Sequence, residues 1–174
     1  MKKIYIVLTY TGTVLSKLVK MYTRREFSHV SIALDEELEQ MYSFGRLYAY
    51  NPFVAGFVHE HIETGTFGRF KKTKTRIYSL QVEDKKYDKV VQTIKRIKDN
   101  KEDYKFNIIG LFAVAVHLKF RREKSFYCAE FVKYVLEQSK IDSNLPDLVK
   151  PEDFKEIQGL NVEYSGILKE YNSY

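Results

Sequence analysis

A thiol and an imidazole are the first candidates for chemistry in this chain. Cys128 is the single cysteine, set in the run Phe126-Tyr127-Cys128-Ala129-Glu130-Phe131-Val132. Phe131, Val132, Val135 and Leu136 follow at helical spacing. That spacing predicts an amphipathic helix over 125–139 with Ser125 as its N-cap and Cys128 in its first turn. A first turn carries unpaired backbone N–H groups and the positive end of the helix dipole, and both favour a thiolate. Arg121, Arg122 and Lys124, just upstream, push the same way. A thiolate can attack an acyl carbon, and the same N–H groups can hold the oxyanion that forms. The plainer alternative is that Cys128 belongs to an apolar face, because free cysteines are among the most buried residues.

A nucleophilic cysteine needs a base. His29 heads the alternating run Ser28-His29-Val30-Ser31-Ile32-Ala33-Leu34, where its side chain could project over a helix N-terminus. His117 closes an apolar stretch and reads as a helix C-terminal or core residue. In His59-Glu60-His61 two imidazoles share one side of a strand, which could begin a metal site. No third ligand adjoins them, and an exposed pair is the simpler reading. There is no phosphate-binding glycine loop, dinucleotide fingerprint, calcium loop or paired cysteine motif, so no cofactor is expected.

The elements that must position these groups follow from composition and periodicity. The 174 residues are 44% hydrophobic and 30% charged, with three prolines and eight glycines, which fits one globular domain over 1–174. The 29 Lys and Arg exceed the 23 Asp and Glu by six. The charges are interspersed, so Lys71-Lys72 and Arg121-Arg122 read as solvated faces and no nucleic-acid partner is expected. A lone cysteine cannot close an internal disulfide, and a reducing cytoplasm is the expected compartment. Two lysines precede the apolar N-terminal run, but Thr9 to Thr13 interrupts it and no cleavage site follows, so it reads as a buried strand. Phe106 to Leu118 is the longest apolar stretch. It falls short of the ~20 residues that span a bilayer and predicts a buried or surface-inserting helix. Membrane contact is therefore open but not expected.

Strands are expected at Ile4–Leu8, Ser28–Leu34, Gln40–Phe44, Thr75–Val82 and Leu160–Leu168. Helical spacing marks Val14 to Tyr22, with Thr13 as cap, and Tyr87 to Ile97. Pro151 begins a helical turn. Gly45 to Phe70, rich in aromatic residues and holding four glycines, predicts a long excursion with one strand near Phe57–Ile62. The expected class is α+β, an antiparallel sheet packed against helices.

Ser28-His29-Val30-Ser31-Ile32, followed much later by Phe126-Tyr127-Cys128-Ala129-Glu130-Phe131-Val132, resembles the permuted papain-like amidases. These are the YiiX/YaeF-like, circularly permuted branch of the NlpC/P60 cysteine peptidase superfamily. Papain-like enzymes present cysteine before histidine; the permuted branch reverses the order, as here. Thr11-Gly12-Thr13 with Ser16, and Lys150-Pro151-Glu152-Asp153-Phe154, extend the resemblance over most of the chain. It implies a papain-like fold with Cys128 as nucleophile and His29 as general base. The family adds a third polar residue, often Glu or His, on the strand after the histidine strand. Here that strand reads Glu39-Gln40-Met41-Tyr42-Ser43-Phe44, which makes Ser43 the candidate, with Glu39 placed early.

The implied activity is a cysteine-dependent amidase or peptidase acting on a peptide or peptidoglycan-derived substrate. Two other readings stand beside it. One is an acyl-lipid hydrolase or acyltransferase of the same fold. The other is a non-catalytic module that binds peptide or glycan.

Overall fold

The run Ile4-Tyr5-Ile6-Val7-Leu8 has no polar side to offer water, and the fold buries it on both faces. In the computed structural model, which describes residues 1–13, 16–17, 20–21, 25–107 and 124–171, this run lies in strand β1 (Lys2–Tyr10). β1 is an inner strand of a six-stranded sheet with β2 (His29–Ala33), β3 (Met41–Tyr48), β4 (Asn51–Glu60), β5 (Lys74–Val82) and β8 (Leu160–Ile167). The order is β4-β3-β2-β1-β5-β8, and every neighbouring pair is antiparallel. The short strands β6 (Lys105–Phe106) and β7 (Ser125–Phe126) pair in parallel, apart from the main sheet.

Side chains alternate across a strand, so β1 feeds two cores. Ile4, Ile6 and Leu8 join the larger one. Helices α2 (Asp84–Asp99) and α3 (Cys128–Gln138) complete it with Val90, Ile94 and Ile97 from the first and Phe131, Val132 and Leu136 from the second. Tyr5 and Val7 face the other way, toward Ala33, Met41 and Ile77. There Phe67 of the short helix α1 (Gly65–Arg69) and Leu168 close a smaller core. Each fully buried Ile, Val or Leu contributes about 1.5–3 kcal/mol. A sheet covered on both sides is thus held chiefly by its inner strands.

The antiparallel sheet against helices is the architecture expected from the pattern, and several boundaries differ. The Gly45–Phe70 segment is not an irregular excursion. β3 runs on to Tyr48, turns through Ala49 and Tyr50, and returns as β4, paired from Tyr48↔Asn51 to Met41↔Glu60. Its aromatic residues gave no clean two-residue alternation because the hairpin tip projects into solvent, with Tyr50 76% exposed. Ser125 is not the cap of α3. It belongs to β7, held by Lys105 N–H to Lys124 O at 2.9 Å and Asn107 N–H to Phe126 O at 2.9 Å. The cap residue is Tyr127, whose N–H donates to Glu130 Oε2 at 3.2 Å. Cys128 is therefore the first helical residue. The helix expected over Phe106–Leu118 lies, beyond Asn107, outside the described residues, as do His117, Arg121 and Arg122.

Candidate active site

β2 begins at His29, and what precedes it is tied down from a distance. Phe27 is buried, and its N–H donates to Glu152 Oε1 at 2.8 Å. Glu152 lies in the turn Pro151–Glu156 and also pairs with Lys155. Ser28 N–H donates to Thr9 O at 3.1 Å, and Thr9 pairs with His29 across the β1–β2 ladder. These contacts fix the backbone from which the imidazole projects. α3 packs across β2 and β3 and brings Cys128 to the same end of the sheet.

The thiol and the imidazole meet. Both line one pocket with Phe44, Gly45, Phe67 and Phe106, around a cavity of about 70 Å³. Cys128 is buried at 5% exposure, and its sulfur is near enough to the His29 ring to help raise the imidazole's pKa. On its other side the ring meets Glu60. His29 Nε2 stands 3.0 Å from Glu60 Oε1, and Ser31 Oγ donates to Glu60 Oε2. The imidazole is thus held between a carboxylate and a sulfur.

The electrostatics follow from that placement. Burial alone would push the His29 pKa down, but the Glu60 carboxylate and the Cys128 sulfur outweigh it and raise it from 6.5 to about 10. Burial alone would push the Glu60 pKa up. The His29 charge and the hydrogen bonds from His29 and Ser31 win and hold it below the ordinary carboxylate value. Glu60 is an anion and His29 a cation in this arrangement, a pair that lowers the cost of burying either.

Ser43, the residue expected to orient the imidazole, makes no hydrogen bond to it. Its hydroxyl is fully buried beside the Glu60 carboxylate and helps to lower the Glu60 pKa, but its geometry is too poor for a full hydrogen bond. Glu39 sits at the exposed β2–β3 turn, and its carbonyl accepts from His59 Nε2 at 2.7 Å. The side chain that contacts the imidazole is Glu60, from β4 rather than β3. A carboxylate can stabilise an imidazolium as well as orient it. The alternation within His59-Glu60-His61 carries the missed signal: two histidines on one side of a strand put the glutamate on the other.

Those histidines are placed away from the pocket. His59 stacks on Tyr42 with ring centroids 4.8 Å apart, and His61 is exposed, its ring centroid 4.2 Å from that of His59. Among the described residues no three His, Cys, Asp or Glu side chains are grouped so as to hold a metal ion. Lys124 is not aimed at the sulfur. It pairs with Asp103 at 3.1 Å, in the open.

Among the described residues, no helix is long and apolar enough to cross a membrane. No family model matches the chain, and no curated protein matches it. Among solved structures it is similar to the metalloprotein yiiX from Escherichia coli O157:H7. The identity is 13% and the TM-score 0.56, over 95% of this chain and 98% of that one. The likeness is one of fold: this chain has a yiiX-like α+β architecture built on a large antiparallel sheet.

Proposed function

We propose that the protein is a cysteine-dependent hydrolase of amide or ester bonds, with Cys128 as nucleophile, His29 as acid and base, and Glu60 as the residue that positions the imidazole. One observation carries this reading: His29 is flanked by Glu60 at 3.0 Å and by the Cys128 sulfur, in a pocket that reaches solvent. The histidine precedes the cysteine in sequence, which fits a circularly permuted papain-like arrangement. The lone thiol suits a reducing compartment such as the cytoplasm. A peptide or a peptidoglycan-derived fragment is the substrate class that goes with that arrangement.

The chemistry runs as follows. Glu60 occupies Nε2, so proton exchange with the sulfur and the leaving group is assigned to Nδ1. The Cys128 thiolate attacks the carbonyl carbon, and the N–H groups opening α3 hold the oxyanion. The proton on His29 passes to the leaving nitrogen or oxygen as its bond to carbon breaks, leaving a thioester on Cys128. Acylation removes the sulfur's negative charge, so one of the two anions that hold the proton on His29 is gone. Neutral His29 then takes a proton from water as the hydroxyl attacks the thioester, and the carboxylic acid and the thiolate are released.

Alkylation by iodoacetamide tests this without knowledge of the substrate. Cys128 is expected to react fast in the native protein and about 10²–10⁴-fold more slowly in His29→Ala. A thiol that stays inert in the folded protein would leave only a binding module. A second reading, action on acyl lipids, is favoured by the exposed Leu47, Tyr48, Tyr50 and Val54 at the β3–β4 tip. Co-sedimentation with liposomes that is lost in Tyr50→Ser would support it.

A further inference from the structure

The pocket that holds Cys128 also contains a cation that the hydrolysis does not use. Arg46 follows Gly45 on β3 and is half-buried in the pocket wall. A guanidinium carries five N–H donors in a planar fork. Among the described residues, the hydrogen bond it makes is a long one, from Nη2 to Thr13 Oγ1 at 3.4 Å. The Phe70 ring lies 5.5 Å from the guanidinium carbon. Glu60 is the acidic group whose charge it feels, and both oxygens of that carboxylate are already engaged by His29 and Ser31. Burial lowers the Arg46 pKa more than Glu60 raises it.

Next to the guanidinium stands a row of hydroxyls. Thr11 Oγ1 and Thr13 Oγ1 are 3.2 Å apart, and Thr13 Oγ1 donates to Ser16 Oγ at 3.2 Å. All three residues line the same pocket as Cys128. A planar fork whose donors are largely unpaired among the described residues matches a carboxylate or phosphate, which accepts two parallel hydrogen bonds. A neutral carbonyl would leave most of those donors unpaired.

We propose that Arg46 binds an anionic group on the substrate, so that the bond cleaved at Cys128 lies beside a carboxylate or phosphate. This rests on the hydrolase reading and narrows its substrate to acidic acyl compounds. Arg46 is then a determinant of specificity and takes no part in bond breaking.

Two alkylating reagents of nearly the same size provide the test. Iodoacetate carries a carboxylate and iodoacetamide does not. The His29 cation also attracts an anion, so the informative quantity is the ratio of the two rates, compared between wild type and Arg46 variants. The iodoacetate-to-iodoacetamide ratio is expected to fall about tenfold or more in Arg46→Gln and to be partly restored in Arg46→Lys. In wild type alone, inorganic phosphate or acetate should slow iodoacetamide alkylation in a saturable way, and whichever protects better identifies the anion. An unchanged ratio in Arg46→Gln, or no protection by either anion, overturns the anion site and leaves the His29-dependent thiol chemistry standing. A thiol that neither reagent reaches overturns both.

Discussion

The N–H of Phe27 donates to the carboxylate of Glu152 at 2.8 Å, across 125 residues of sequence. The bond is buried, and it lies two residues before His29. It gives the Lys150–Phe154 segment a structural purpose: its acidic side chain anchors the approach to the candidate base. Glu152→Ala would leave a buried N–H without a partner and should lower stability by about 1–3 kcal/mol in urea unfolding. Glu152→Gln keeps an acceptor and should lose less. Equal losses in the two variants would mean that the contact matters only for packing.

Protonation of His29 should be visible directly. Its pKa is raised from 6.5 to about 10, so its contribution to stability is fully present below 6.5 and is lost as the pH rises through about 10. Glu60 is lowered from 4.5, so its contribution is present above 4.5 and is lost as the pH falls through the lower, folded value. In an NMR titration the His29 ring signals should stay those of the cation through pH 8. In Glu60→Gln they should titrate at lower pH. Wild-type signals that titrate near 6.5 would contradict the ion pair.

The roles of Glu60 and Ser43 separate by mutation. Glu60→Gln keeps an acceptor but removes the charge, and should slow alkylation of Cys128 by about tenfold or more. Ser43→Ala removes a buried hydroxyl with poor geometry, and should change the rate less than about threefold. The reverse order would restore Ser43 as the orienting residue.

Gly45 is a close approach to the imidazole. A Cβ built there would stand 3.3 Å from His29 Cε1 and 3.5 Å from Ser43 Oγ. Gly45→Ala should therefore displace the ring by a few tenths of an ångström. Alkylation should slow several-fold, while stability changes by less than about 1 kcal/mol. A reactivity equal to wild type would show that the ring has room to spare.

Much of the sheet was legible in the residues. Alternation marks β2 and β5 to within a residue or two, because one-face and two-face burial leave a clear apolar pattern. Helix α2 is equally plain, its apolar stripe of Val90, Ile94 and Ile97 recurring at three and four residues. The β3–β4 hairpin was not legible, since Tyr48 and Tyr50 are aromatic yet exposed. His29 and Cys128 stood out by residue type and setting. Glu60 did not, because its role depends on the β3–β4 register, which carries it past Ser43 to a strand two places away. Arg46 was hidden for the same reason: nothing in its neighbours in sequence distinguishes a pocket guanidinium from a solvated one.

The anchor at Glu152 also sets an order of assembly. The imidazole belongs to the second strand and the sulfur to a helix 99 residues later, and the group that steadies the imidazole's backbone comes later still. Contacts of such long sequence separation form slowly, since loop closure must precede the interactions that reward it. Until residues 150–156 have docked on Phe27, the strand that carries His29 lacks its buried anchor. The reactivity proposed for Cys128 would therefore appear only after that late contact has closed.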